Sequence, residues 1–278
     1  MTDPASASAE NGRRRRFVAP ARGEVDPACF SHPLFAGFGD FHDVMTGAGW
    51  PGVPSLNERL PLPGKRFVVQ DAALLDDGLH YEVRIGEHGC IATRAQNWHD
   101  LFNAMVWARH PAIKTALNAR QCLHVARMGP HRRNRAQQAL TQFDEAGAIV
   151  RVRDAALLDA WDRHDWTTLF LGRAGWWRHG DIAIAAVLGH ALMEQALLPG
   201  RRSVGKCLVV VGEDDAACAE RVAGAIDSGE ILEDPLELRP LPLAGIPGWH
   251  PRQDAGFYAQ TDYFRPLREG RAYPRPLT

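Results

Sequence analysis

Hydrophobic and polar positions change period several times along the chain, and the central change falls at residues 80–107. Residues 66–70 (RFVVQ) read as a strand. So do His80 to Ile85 (HYEVRI), whose alternation sets Tyr81, Val83 and Ile85 on one face and Glu82 and Arg84 on the other. GEHG follows as a turn and CIATR as a returning strand, so a hairpin is predicted to deliver the chain into TRAQNWHDLFNAMVW, residues 93–107. Asn97 can cap a helix there, with Asp100 completing an acidic capping-box arrangement at the positive helix end. Trp98, Leu101, Phe102, Met105, Val106 and Trp107 leave that helix little solvated surface, yet His99 and Asn103 share a side of it. Buried polar groups cost stability unless paired, so this side is expected to face a pocket or another polar element.

Pro111 opens a second helix, PAIKTALNARQCLHVARM, on which Lys114 and Asn118 share a face. Beyond it lies a basic cluster, HRRNR, at 131–135. Ala136 to Phe143 reads as helix, Asp144, Glu145 and Gly147 as a turn, and 148–153 (AIVRVR) as a strand. Ala155 to Phe170 continues the helical pattern and RAGWWRHGD reads as a loop. The apolar run from Ile182 to Leu198 carries GHALMEQAL, a helix with His190 and Glu194 on one side. KCLVVV at 206–211 is a buried strand followed by a helix from Asp214 to Asp227. GEDD between them lacks the glycines and the charge of a phosphate loop.

Short helices near Pro33 to Met45 and Ser55 to Leu60 are expected to wrap the core. A proline-rich final segment with Trp249, Phe257, Tyr258, Tyr263 and Phe264 is expected to strap across it. The pattern therefore predicts a single α+β domain over residues 23–270. Its small mixed sheet would use strands near 66, 80, 90, 148 and 206 under a cover of helices. Residues 1–22 read as a disordered basic tail and 271–278 as a C-terminal tail. The helices at 97–109 and 188–198 are expected to pack together, bringing His99 near His190 or Glu194.

Composition narrows the classes of function. In 278 residues, Lys plus Arg (32) nearly cancel Asp plus Glu (33), so the net charge of -1 supplies no general field for nucleic acid or an anionic membrane. The five cysteines are scattered without a C-x-x-C pair, which fits a reducing compartment. Arg13 to Arg16 are not followed by an apolar stretch, and Ile182 to Leu198 falls short of the ~20 apolar residues of a membrane helix. A cytoplasmic protein is expected, with no membrane partner.

The segments NWHDLFNAMVW, KTALN, LTQFDEAG, GHALMEQAL, IPGW and FYAQTDYFRP occur here in one order. With them the chain resembles, over roughly residues 25 to 270, a proteobacterial family filed as a domain of unknown function. The resemblance implies one contiguous domain in a bacterial cytosol and lends no activity.

The chemistry must come from the residues. His99, His190 and Glu194 suit a divalent metal, zinc, iron or manganese, with an open position for water. His99 and the adjacent Asp100 point about 100° apart on a helix, so both are not expected on one ion. Without a metal, His99 can act as general acid or base with Asp100 or Glu194 orienting it. Arg94, Asn97, Asn103, Lys114 and Asn118 would then bind a small anionic substrate. No nucleophile motif is present, so an enzyme acting by acid–base or metal-activated-water chemistry is the leading reading. Two alternatives stand beside it: a nucleotide- or RNA-binding module using Arg94, Lys114 and the 131–135 cluster, and a non-catalytic scaffold with a buried polar network.

Overall fold

The computed structural model describes residues 17–278. The polypeptide forms an α+β domain with two small sheets among many helices. Strand β1 (Arg66–Val69) pairs in parallel with β2 (Cys90–Thr93), and between them runs helix α1 (Tyr81–His88). The predicted strand at 80–85 is thus a helix, and the hairpin is a strand–helix–strand unit. The termini of α1 decide this. His80 Nδ1 accepts the Glu82 N–H at 3.3 Å, and Gly89 closes the helix at φ 62°, a conformation open to glycine. A short alternating run fits either period, and here the caps outweigh it.

Helix α2 (Trp98–Arg109) runs through the core, with Phe102, Met105 and Val106 fully buried. Helix α3 (Pro111–Met128) turns back after Pro111, and α4 (Arg135–Ala146) leads directly into β3 (Gly147–Val152). Asp144 and Glu145, predicted in a turn, occupy the last turn of α4. No loop intervenes, because Gly147 takes the extended conformation at once.

The second sheet has the order β4-β3-β5-β6, where β4 is Ile182–Val187, β5 is Val204–Val211 and β6 is Arg239–Pro242. β3 pairs antiparallel with β4 and parallel with β5, and β6 is antiparallel to β5. Apart from Arg151 and Lys206, the central strands β3 and β5 are apolar on both faces, as covered strands are. β4 comes from the first half of the 182–198 run, which splits at Leu188 and Gly189 before helix α5 (His190–Ala196). Helix α6 (Asp215–Ser228) packs against α3 and the sheet.

The helix expected from Ala155 to Phe170 is broken. His164 adopts φ 55°, and Asp165 Oδ1 accepts the Thr168 N–H at 3.0 Å to start a separate wide turn at Thr167–Gly172. The loop expected around RAGWWRHGD contains a short helix, Ala174–Arg178. The proline-rich end does strap the domain. Phe257, Tyr258, Tyr263 and Phe264 are buried, and Tyr258 and Phe264 pack on Phe170.

Of the tail read at 1–22, residues 1–16 lie outside the described residues. Residues 17–22 lie on the domain, where the Pro20 carbonyl accepts from Trp98 Nε1 at 3.1 Å and Arg22 donates to Val44 and Gly47 carbonyls. The C-terminal residues 271–278 also join the body. Leu277 exchanges backbone hydrogen bonds with Val209 and Val211 on β5. No helix among the described residues is long and apolar enough to cross a membrane.

Candidate functional site

Three helix ends meet at one point. Asn97 caps α2 by accepting the Asp100 N–H at 3.0 Å, which sets His99 in the first turn with core residues behind it. The end of α4 and the start of α5 are joined through backbone. The N–H groups of Leu188 and Gly189 both donate to the Gly147 carbonyl at 2.9 Å. A Cβ on Gly189 would lie 2.7 Å from Ala146 Cα, so only glycine permits this approach. The crossing puts Glu145, at the end of α4, beside His190, the first residue of α5.

His190 Nε2 lies 3.1 Å from His99 Nε2, with the rings steeply inclined. Glu145 faces both nitrogens, with Oε1 3.9 Å from His99 Nε2 and Oε2 3.7 Å from His190 Nε2. One ligand atom from each of His99, Glu145 and His190 falls within 4.8 Å of the other two. On the opposite edge of the His99 ring, Nδ1 is 3.2 Å from Glu194 Oε2. Glu194 sits one turn after His190 on α5 and reaches His99 from the side away from His190.

Burial and charge pull the two imidazoles apart. Burial alone would lower His99, but the Glu194 hydrogen bond and the charges of Glu145, Glu194 and Asp100 outweigh it and hold His99 above its ordinary value. Burial takes His190 down to about 3, so it is neutral at pH 7. Burial also raises Glu145, against the attraction of His99. His190 Nδ1 has no hydrogen-bond partner among the described residues.

His99, Glu145 and His190 form part of the wall of a pocket of about 260 Å³, which α1, α3 and α4 close on its other sides. A second opening lies where Glu194 and Arg94 meet the segment at 17–22. The other residues singled out in the sequence fall into three arrangements. Asp100 is clamped to Arg94, accepting its backbone N–H at 2.6 Å, Nε at 3.0 Å and Nη2 at 2.7 Å. The capping-box partner expected of Asp100 is therefore Arg94 rather than Asn97. Lys114, almost fully buried, donates to Asp144 Oδ1 at 2.5 Å and to Asn103 Oδ1 at 2.8 Å. Burial would raise Asp144, yet Lys114 and the nearby histidines hold it below the usual carboxylate range. Asn103 Nδ2 donates to the Tyr81 hydroxyl at 3.1 Å. Asn118 Nδ2 donates to the Glu82 carbonyl at 2.9 Å and to Glu82 Oε2 at 2.7 Å. In the basic cluster, Arg135 pairs with Asp234, and Arg133 lies at the pocket rim.

The structure thus brings His99, His190 and Glu194 into one constellation and adds Glu145, which the sequence presents as a turn residue. The signal for Glu145 was the absence of any helix breaker between Phe143 and Gly147. Tyr81, Glu82 and Asp144 also line the pocket. Glu82 points into the pocket from the first turn of α1, whereas a strand over 80–85 would set it on the polar face.

No match is found among curated proteins or among solved structures. A family model matches residues 65–268, a span that holds His99, Glu145, His190 and Glu194, and the chain belongs to this family, described as a protein of unknown function (DUF3025).

Proposed function

We propose that the protein is a metal-dependent enzyme in which His99 Nε2, His190 Nε2 and Glu145 hold one divalent ion at the pocket wall. The observation that carries this reading is the convergence of those three side chains from three helices. In a tetrahedral site with bonds of about 2.0–2.1 Å, two ligand nitrogens stand about 3.4 Å apart, close to the 3.1 Å found here. Two imidazoles and one carboxylate are a donor set for zinc, and also for iron or manganese. Three protein ligands leave a position for water or substrate, and the ion would supply Lewis acidity and a water that loses its proton near neutral pH.

The remaining residues have roles that do not depend on which ion binds. Glu194 on His99 Nδ1 fixes the ring with Nε2 directed at His190 and Glu145, as carboxylates behind ligand histidines do. A neutral His190 has the protonation state a ligand needs. The reaction class that fits is hydrolysis by activated water on a small polar substrate.

Elemental analysis of the purified, untagged chain tests this. About one equivalent of zinc, iron or manganese is expected, falling severalfold in folded Glu145→Gln and His190→Ala variants. A chain that stays metal-free after incubation with each of these ions would overturn the reading. The same side chains would then form a hydrogen-bonded scaffold.

A further inference from the structure

Two of the cations that the sequence offers to an anionic ligand are already engaged. Arg94 is held by Asp100, and Lys114 by Asp144. Glu82 is different. One of its carboxylate oxygens accepts from Asn118, the other accepts nothing among the described residues, and no cation is paired with it there. Burial pushes it up to about 7, because desolvation exceeds the help from Asn118, Lys114 and Arg133.

The neighbouring amides point the same way. Asn118 is 5% exposed, and its Nδ2 is committed to Glu82, while its Oδ1 accepts from no donor among the described residues. Gln121, 9% exposed, donates its Nε2 to the Gln137 carbonyl and to Thr141 Oγ1, and its Oε1 likewise has no donor among the described residues. Because each amide nitrogen has its own acceptor, the assignment of nitrogen and oxygen is fixed. All three residues line the pocket. A carboxylate and two amide oxygens with nothing to accept complement a group that carries several N–H donors and a positive charge.

We propose that the Glu82–Asn118–Gln121 end of the pocket receives a cationic, N–H-rich group, an ammonium or guanidinium, of the molecule whose other end meets His99, Glu145 and His190. Calling that molecule a substrate rests on the enzyme reading above, but its recognition at Glu82 does not. Arg133 is exposed at the rim and makes no ion pair among the described residues, so the guest need not displace it.

The test titrates metal-stripped protein at pH 8 with n-butylammonium, methylguanidinium, acetate and inorganic phosphate, followed by calorimetry. At least one of the two cations is expected to bind with a millimolar Kd. Binding should weaken about tenfold in Glu82→Gln, hold in Arg133→Ala, and persist in a metal-free His190→Ala variant. Gln121→Met, which removes one acceptor and keeps the volume, should weaken it severalfold and serves if Glu82→Gln does not fold. Tighter binding of phosphate or acetate than of either cation would overturn the proposal. So would undiminished cation binding in the Glu82 and Gln121 variants, or no cation binding at all. Metal content is read separately, so the metal reading and this one can fail independently.

Discussion

Replacing Glu194 with Gln keeps the side-chain shape and removes the charge behind His99. In the proposed centre this change leaves all three ligands in place and weakens only the group that orients one of them. Partners of this kind typically contribute 10- to 100-fold to metal affinity. The His99 Nδ1–Glu194 Oε2 distance is 3.2 Å, longer than the roughly 2.7–2.9 Å of a strong charge-assisted bond, so the lower end applies. The Glu194 side chain is only 16% exposed, so solvent screening does not erase the effect. The expected loss is about tenfold in zinc affinity, about 1.4 kcal/mol. Competition against a chromophoric zinc chelator at pH 7.5 measures it, with Glu145→Gln, which removes a proposed ligand, as the reference. The order should be wild type, then Glu194→Gln, then Glu145→Gln. A Glu194→Gln affinity within twofold of wild type, or below that of Glu145→Gln, would refute the assignment of Glu194 as orienter and Glu145 as ligand.

Gly189→Ala forces a methyl against Ala146 Cα and Gly147 N, so the α4–α5 crossing must open. A loss of about 1–3 kcal/mol in urea denaturation is expected, with weaker zinc binding beside it; unchanged values would mean that the crossing does not position His190. Lys114→Met strands the Asp144 carboxylate beside Glu145 and should destabilise the fold by about 3 kcal/mol, the low end for a broken buried pair because Asp144 is 27% exposed. Lys114→Met with Asp144→Leu should recover part of that, and a single-variant cost below about 0.5 kcal/mol would show that the pair is not held in solution. Glu82 has a folded pKa of about 7, above its ordinary 4.5, so its favourable contribution is complete below pH 4.5 and is lost as pH rises through 7. Glu82→Gln should therefore flatten the stability profile between those values and be more stable at pH 8 by on the order of 1–3 kcal/mol; parallel wild-type and variant profiles would exclude the shift.

Much of the frame was legible along the chain. The core helix at 98–109, its Asn97 cap, the Pro111 start of the next helix and the β5–α6 unit follow from local period and capping chemistry. The polar side shared by His99 and Asn103 was visible because two polar groups one turn apart stood out on an otherwise apolar helix. The 80–85 run was not legible, since six residues alternating in polarity satisfy a strand while the helix there is decided by a histidine cap and a glycine end. The apolar run at 182–198 showed its helix but hid the strand ahead of it, because a fully covered strand shows no alternation.

The composition of the site was decided by tertiary structure. The approach of His99 to His190 and Glu194 was expected from the polar sides of two apolar helices, but only the fold sets which ring nitrogen meets which partner, Nδ1 on Glu194 and Nε2 on His190. Glu145 enters because two glycines, Gly147 and Gly189, let the backbone of two junctions cross in contact, turning the end of α4 toward the start of α5. Local pattern fixes which side chains are costly to bury and on which helix faces they lie. Which of them share a cavity, and which cations are already neutralised there, depends on the packing of elements distant in sequence. Pair energies fall steeply with a separation that only the folded chain defines.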